Sequence, residues 1–248
     1  MKKKYAFLFA ILITLLIASD IYLISIVNKP KATMVFLSRV IDGDTIKLSD
    51  GRTLRLLNIN APEKSDSLST LSKNFLKSFE NKSILAEITG TDKYRRNLAR
   101  IYSLNNEYLN LELVALGFSS KFLVQDSETS LFDNAEKSAV SNYLGIWKKS
   151  PYSNCLKAEI KEKEEIVILT NNCNLSKINN WRIKDESRKI YYLNNLSSSQ
   201  IRLHSGIGKD NASDKYWNSK EDIWNNDKDS IYIFDENNLL VFSDSYGY

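Results

Sequence analysis

Acidic, amide and arginine side chains recur at short intervals in the first half of this 248-residue sequence. Asp42 and Asp44 flank a glycine, Arg55 follows, and Asn60 and Glu63 come shortly after it. Carboxylate and amide oxygens suit calcium or magnesium, and arginine suits a bidentate grip on phosphate. Hydrolysis of a phosphodiester needs an activated water and neutralisation of charge on the phosphoryl oxygens. These residue types therefore indicate metal-assisted chemistry on a phosphate.

A basic turn further along the chain adds groups of the same kind, in the order Asp92-Lys93-Tyr94-Arg95-Arg96. Each piece has an ordinary alternative. An Asp-Gly-Asp turn is often a hairpin tip, an arginine in a strand can be half-exposed, and a Pro-Glu pair commonly opens a helix. The order and spacing of the pieces together favour a site.

Short apolar and β-branched runs predict the elements that must position these residues. The pattern favours strands at 34–40, 45–48, 53–59, 83–89 and 98–104, and helices at 65–79, 108–116 and 128–147. In the last helix, the predicted buried face consists of Leu131, Ala135, Ala139, Tyr143 and Trp147. Five strands with a helix after the third are compatible with a small OB-type barrel.

Residues 34–149 resemble the staphylococcal nuclease (thermonuclease) family. The resemblance lies in D-G-D-T, R-L, A-P-E and D-K-Y-x-R, followed by a helix ending at Leu116-Gly117. It implies an OB-fold nuclease domain, at 34–150, with calcium-dependent hydrolysis of DNA and RNA. Asp44 matches the family's first calcium-binding carboxylate, and Ala61 the residue that supplies a backbone carbonyl. Asn60 stands where the family has a second calcium-binding aspartate, so we expect weaker calcium binding.

The resemblance also implies catalytic and substrate-binding roles. Arg55 and Arg96 match the two arginines that grip the phosphate, and Glu63 matches the general base that acts on the attacking water. Lys93 and Tyr94 match positions lining the nucleotide pocket. Two departures concern the same pocket: Arg95 replaces a glycine of the turn, and Phe122 is the nearest candidate for the second pocket tyrosine.

Beyond Ser150-Pro151 the sequence alternates short apolar runs with Asn, Ser and Asp, which predicts an all-β domain at 155–248. The segments at 166–171, 180–186, 201–208, 216–217 and 224–229, with a cysteine pair flanking the first of them, resemble the lamin-tail domain. This resemblance implies an immunoglobulin-like β-sandwich that serves for binding or attachment, with a ligand that the fold does not name. Trp181, Trp217 and Trp224 fit core packing or a recognition surface. His204, the single histidine, receives no catalytic role.

The N-terminus predicts export. Three lysines, Lys2 to Lys4, precede an apolar run at 5–27 that is interrupted by Asp20. Residues 1–29 fit either an uncleaved transmembrane anchor or a removed signal, and both place the rest outside the cytoplasm. The net charge is +4, and these three lysines contribute three of the four charges. The rest of the chain is therefore close to +1, so its overall charge does not indicate a partner. An even pair of cysteines outside the cytoplasm favours a disulfide between Cys155 and Cys173 over two unrelated buried thiols.

Three hypotheses follow. The first is an exported, monomeric endonuclease acting on DNA and RNA, held at the membrane if the N-terminal helix is retained. The second is a catalytically weak or inactive nucleic-acid-binding protein, which Asn60 favours. The third is a surface-attachment protein dominated by its C-terminal domain. The joint presence of Asp44, Arg55, Glu63 and Arg96 favours the enzyme.

Overall fold

The computed structural model describes residues 32–248 apart from 65, 67, 174, 176, 177 and 188. The predicted N-terminal signal or anchor at 1–29 lies outside these residues. Among the described residues, no helix is both long enough and apolar enough to cross a membrane.

The N-terminal half is a closed barrel of five strands, in the order β1-β2-β3-β6-β5. β3 pairs with β6 in parallel, and the other neighbours are antiparallel. Each barrel strand sends a fully buried aliphatic side chain into one core. The predicted five-stranded barrel with a helix after its third strand is confirmed. In chain order this half contains β1 (Thr33–Val40), β2 (Thr45–Leu48), β3 (Thr53–Leu56), β4 (Ile59–Asn60), α1 (Ser69–Lys77), β5 (Lys82–Thr91), β6 (Asn97–Tyr102), α2 (Leu109–Ala115), β7 (Ser120–Lys121), a 3-10 turn (Asp126–Glu128), α3 (Thr129–Ser141) and a second 3-10 turn (Gly145–Trp147).

Two predicted elements end earlier than expected because the backbone turns left-handed. The third strand stops at Leu56, since Asn58 adopts a φ of 65°. The following pair, β4, then leaves the barrel and pairs with β7. The last helix stops at Ser141 and not at residue 147, since Tyr143 has a φ of 54°.

The predicted buried face of α3 was partly wrong. Leu131 and Tyr143 are 47% and 41% exposed. The helix buries Ala139 as predicted, and with it Phe132 and the acidic Asp133 and Glu136. A buried glutamate is uncommon in a helix face, and its partners lie on other elements, so the local sequence pattern gave no sign of it.

The C-terminal half consists of two four-stranded sheets, in the orders β11-β10-β14-β15 and β13-β12-β9-β8. Both sheets contribute to one hydrophobic cluster, which contains Trp181 and Trp224 at 1% exposure with Trp217 packed against it. The short apolar runs of the sequence, at 166–169, 181–183, 190–193, 201–203, 231–234 and 239–242, correspond to six of these strands, and β8 and β13 match none of them. The strands are β8 (Leu156–Lys161), β9 (Ile166–Asn171), β10 (Trp181–Lys184), β11 (Ile190–Leu193), β12 (Gln200–His204), β13 (Asp214–Tyr216), β14 (Asp229–Phe234) and β15 (Leu240–Tyr246).

Cys155 and Cys173 form a disulfide with a Cα–Cα distance of 5.0 Å. The predicted bridge is confirmed. It joins the residue before β8 to the segment after β9 and so fastens the two neighbouring strands at one end.

The two halves pack against each other through an aromatic cluster. The Trp147 ring lies 5.0 Å from that of Tyr232 and 6.2 Å from that of Phe234. Beside it, the Tyr232 hydroxyl donates to Glu136 at 3.0 Å, and Glu136 also pairs with the buried Lys121 at 2.6 Å. Apolar burial and a buried hydrogen bond to the Glu136–Lys121 ion pair thus join the halves.

Candidate active site

Asp44 lies at the turn between β1 and β2 with its side chain buried. Its Oδ1 accepts the Thr45 hydroxyl at 2.9 Å, and its Oδ2 accepts the Ala61 amide at 3.2 Å. The Oδ2 atom also lies 3.2 Å from Nη2 of Arg55. Burial raises the pKa of the Asp44 carboxyl, and the Asp42 charge adds to this, while Arg55 opposes it. The carboxylate is therefore fixed in direction before any ligand arrives.

Gly43 allows this turn to approach the rest of the barrel. A Cβ at this position would lie 2.4 Å from Ser72 Oγ, on α1, and 2.6 Å from the Ala61 Cβ. Both distances are shorter than side chains tolerate. The glycine between the two aspartates is therefore required by the close packing of α1 and Ala61 behind the turn.

Arg55 is held on β3 with 7% exposure. Its Nη2 donates to the Ile59 carbonyl at 2.9 Å, and its Nη1 donates to the Leu56 carbonyl. With the Asp44 contact, backbone and carboxylate oxygens fix the plane of the guanidinium. A preorganised cation of this kind stabilises charge without reorganising.

A cleft of about 160 Å³ adjoins Asp44 and is lined in part by Asp42, Ala61 and Glu63. Among the described residues, no group of three or more His, Cys, Asp or Glu side chains is placed to hold a metal ion. By the family resemblance, a calcium site would instead combine the Asp44 carboxylate and the Ala61 carbonyl with the amide oxygen of Asn60. Asp44 and Ala61 line this cleft, whereas Asn60 lines the neighbouring cavity of about 680 Å³. These hard oxygen donors fit calcium, which accepts carbonyl and water ligands. Glu63 is exposed and lines this cleft.

Asn60 contacts the C-terminal half of the molecule. Its side chain is 5% exposed, and its Nδ2 donates to the carbonyls of Glu186 at 3.2 Å and Ser187 at 2.7 Å. An aspartate would turn an oxygen toward these two carbonyls. The amide is therefore suited to this interface, and its oxygen is the atom that a cation would use.

The basic turn between β5 and β6 lines a separate cavity of about 680 Å³. Arg96 Nε pairs with Asp92 at 2.7 Å, and its guanidinium lies 5.4 Å from the Tyr94 ring centre. Tyr94 is 68% exposed, which leaves its ring face accessible for stacking. Arg95 has a φ of 63°, the backbone conformation that a glycine would adopt without strain.

The structure brings most of the predicted site residues together. Arg55, Asn60, Lys93, Tyr94 and Arg96 line the 680 Å³ cavity, and Phe122 lines it too. Asp44, Ala61 and Glu63 line the smaller cleft. The Arg55–Asp44 contact joins the two groups.

Sequence reasoning missed two residues of this cavity, Ser187 and Lys189, which belong to the C-terminal half. A second cavity of about 310 Å³ on the Glu63 side is also lined by residues of both halves, among them Arg182 and Lys184. Arg182 pairs with Asp66 at 3.1 Å, and burial lowers the pKa of Lys184. No local motif marks these residues, because only the packing of the halves brings them to the site.

Comparison with known proteins gives matches over part of the barrel half. Residues 53–149 match the family described as "Staphylococcal nuclease homologue". Two relatives named "Uncharacterized endonuclease", from Escherichia coli O157:H7 and Escherichia coli, are each 35% identical over 83 residues. These matches cover 32% of this chain and 54% of each relative, so the chain spans about half the length of the relatives. Residues 53–149 are therefore similar to the staphylococcal nuclease family.

Proposed function

We propose that this protein is a calcium-dependent endonuclease that hydrolyses DNA and RNA outside the cytoplasm. The observation that carries the proposal is the contact between Asp44 and Arg55, which joins the carboxylate cleft to the Tyr94–Arg96 cavity. The family match and the endonuclease names of the relatives support the same reaction class.

In this proposal Glu63 takes the proton of the attacking water, because its carboxylate lies at the cleft beside Asp44. Arg55 and Arg96 neutralise the charge that grows on the phosphoryl oxygens. Tyr94 stacks on a base and Lys93 contacts a phosphate in the same cavity. Calcium, when bound by Asp44, Asn60 and Ala61, would supply further charge neutralisation.

A binding protein without turnover is the second candidate, and Asn60 is the observation that favours it. A neutral amide in place of a carboxylate removes one charge from the metal ligands, which lowers calcium affinity. The nucleotide cavity would still bind a single strand through Tyr94, Arg96 and Lys93.

We further infer that the C-terminal half is an immunoglobulin-like sandwich of the lamin-tail type. Its two four-stranded sheets around one core support this. The Cys155–Cys173 disulfide supports an oxidising location and therefore export. Membrane attachment through residues 1–29 and a monomeric state belong to the same proposal.

A digestion assay tests the function directly. The full-length protein is incubated with single-stranded DNA and with RNA, in calcium and in excess chelator, and fragments are followed by gel electrophoresis. We expect internal cleavage with calcium and strong loss of cleavage with chelator. Equal cleavage in both buffers would contradict a calcium-dependent enzyme. Binding without cleavage in either buffer would select the binding protein.

A further inference from the structure

The largest cavity at the site has one wall from each half of the molecule. Arg55, Tyr94 and Arg96 line it from the barrel, and Ser187 and Lys189 line it from the segment that connects β10 to β11. A nucleic acid strand that enters the cavity would therefore meet both halves.

The connecting segment is fixed against the barrel at two points. Asn60 Nδ2 donates to the Ser187 carbonyl at 2.7 Å, and Glu186 Oε1 accepts the Leu123 amide at 3.0 Å. Behind it, Asp185 Oδ1 accepts the Lys189 amide at 3.2 Å. These contacts hold the backbone of the wall in one place, so a side chain on it has a defined position relative to the cavity.

Lys189 carries the charge of this wall. It is half-buried, and its Nζ donates to the main-chain carbonyl of Asp222 at the surface. The Asp185 carboxylate is close enough to attract this ammonium, while its hydrogen-bond acceptor is a neutral carbonyl oxygen, and a phosphate oxygen is a stronger acceptor than that carbonyl. Its flexible four-carbon stem lets the ammonium exchange one acceptor for the other.

We propose that the C-terminal half completes the substrate cleft and that Lys189 binds a backbone phosphate of single-stranded nucleic acid. This rests on the proposed function for the identity of the ligand. The phosphate is a neighbour of the one that is cut, because Arg55 and Arg96 already serve the latter. Lys189 therefore favours polynucleotides over dinucleotides.

Binding of a fluorescein-labelled thymidine 12-mer tests the proposal, measured by fluorescence anisotropy with full-length protein in chelator. We expect Lys189→Ala to weaken binding about 5- to 10-fold. The slope of log Kd against log salt should fall by about 0.7, the value for one phosphate contact on a single strand. The inhibition constant of a competing thymidine dinucleotide should differ less than about twofold between Lys189→Ala and the parent protein. Lys209→Ala, at an exposed lysine of the same half outside the cavity, is the charge-matched control.

The result separates this proposal from the enzymatic one. If Lys189→Ala and Lys209→Ala bind the 12-mer alike, or if the parent protein does not bind it, the proposed wall is wrong. If Lys189→Ala weakens binding as expected while the parent protein fails to cleave with calcium, the cleft proposal stands and the nuclease proposal fails. Thermal unfolding by circular dichroism checks that both variants are folded.

Discussion

At Asn60 the amide nitrogen faces two carbonyl oxygens of the C-terminal half. The sequence predicted a metal ligand at this position from a family resemblance, with an unexplained loss of charge. The structure supplies a physical reason for the amide, because a carboxylate cannot donate to Glu186 and Ser187. Glu186 and Ser187 are separated from Asn60 by 126 and 127 positions in the sequence, so no local pattern reveals these contacts.

Replacing Asn60 with Asp should separate its two roles. We expect the half-saturating calcium concentration for cleavage to fall, because a carboxylate strengthens calcium binding. The free energy of unfolding should also fall, by about 1–3 kcal/mol, because the buried carbonyl of Glu186 and the partly buried carbonyl of Ser187 lose their donor. A calcium titration of activity and urea unfolding measure the two effects. Asn60→Ala is the control, which should lose stability without the gain in calcium affinity. An unchanged calcium requirement in Asn60→Asp would remove position 60 from the ligand set.

Glu63→Gln tests the proposed base. The variant keeps the shape of the side chain but no longer accepts a proton, so turnover should fall roughly 10²-fold or more. Binding of a 12-mer should stay nearly unchanged, since the charged residues of the nucleotide cavity are intact. Steady-state cleavage and fluorescence anisotropy measure the two quantities, with Glu164→Gln, an exposed position of the C-terminal half, as the control. Cleavage at the parent rate would contradict the mechanism.

The barrel strands formed where the hydrophobic pattern predicted them, whereas the ends of β3 and α3 and the strands β8 and β13 were not predicted. Alternating apolar residues located the strands of the barrel because one face of each strand is buried. The ends of β3 and α3 depend on the left-handed residues Asn58 and Tyr143. Because tyrosine rarely adopts this conformation, nothing in the sequence indicated a helix end near Tyr143, and the apolar periodicity predicted a longer helix. The β13 strand, Asp214–Tyr216, was missed because it is three residues long and mostly polar.

The turn between β5 and β6 positions Arg96 through Asp92. The Asp92 carboxylate accepts the Arg96 amide at 2.9 Å and the Arg96 Nε at 2.7 Å. These hydrogen bonds, with the Arg96 charge, hold the pKa of Asp92 below its usual value although partial burial opposes them. We expect Asp92→Ala to lower turnover because Arg96 loses its orientation, although its charge remains. Arg96→Ala should lower turnover further. If Asp92→Ala cleaves at the parent rate, the orientation of Arg96 does not depend on this contact.

The disulfide stabilises the start of the C-terminal half. Cys155 and Cys173 are 18 residues apart, and a closed loop of this size is expected to contribute about 3 kcal/mol through the unfolded state. We expect the double variant Cys155→Ser, Cys173→Ser to unfold at a lower urea concentration than the parent protein. Parent protein in reducing buffer should match the double variant. Equal unfolding midpoints of the oxidised parent and the variant would contradict a stabilising role.

Over the whole molecule, the barrel was predictable and the contact between the halves was not. Trp147 was expected on one face of a continuous helix and instead packs against Tyr232 and Phe234 after the helix has ended. The buried Glu136–Lys121 pair and its Tyr232 partner come from three distant segments. The barrel residues that line the 680 Å³ cavity could thus be selected from the sequence, whereas the residues that line it from the C-terminal half depend on the packing of the two halves.

The buried carboxyl of Asp229 should make the stability of the C-terminal half depend on pH. The carboxylate is buried at the start of β14 and accepts the backbone amides of Glu186 at 3.3 Å and Ser230 at 2.7 Å. Burial raises its pKa to about 6, against 3.8 for an exposed aspartate, although these hydrogen bonds oppose the shift. The folded protein therefore binds a proton at this site more tightly than the unfolded chain does.

The stability that Asp229 contributes should decrease as the pH rises from about 4 to about 6, where the folded protein must bury the ionised carboxylate. The Asp229→Asn variant has no ionisable group at this position. The difference between its free energy of unfolding and that of the parent should therefore increase by about 2–3 kcal/mol over this range and stay constant above pH 7. Urea unfolding of both proteins at pH 4, 5, 6, 7 and 8 measures the difference. Asp244→Asn, at a more exposed aspartate of β15, should follow the parent curve. A difference between Asp229→Asn and the parent that does not vary with pH would show that the Asp229 carboxyl has an ordinary pKa.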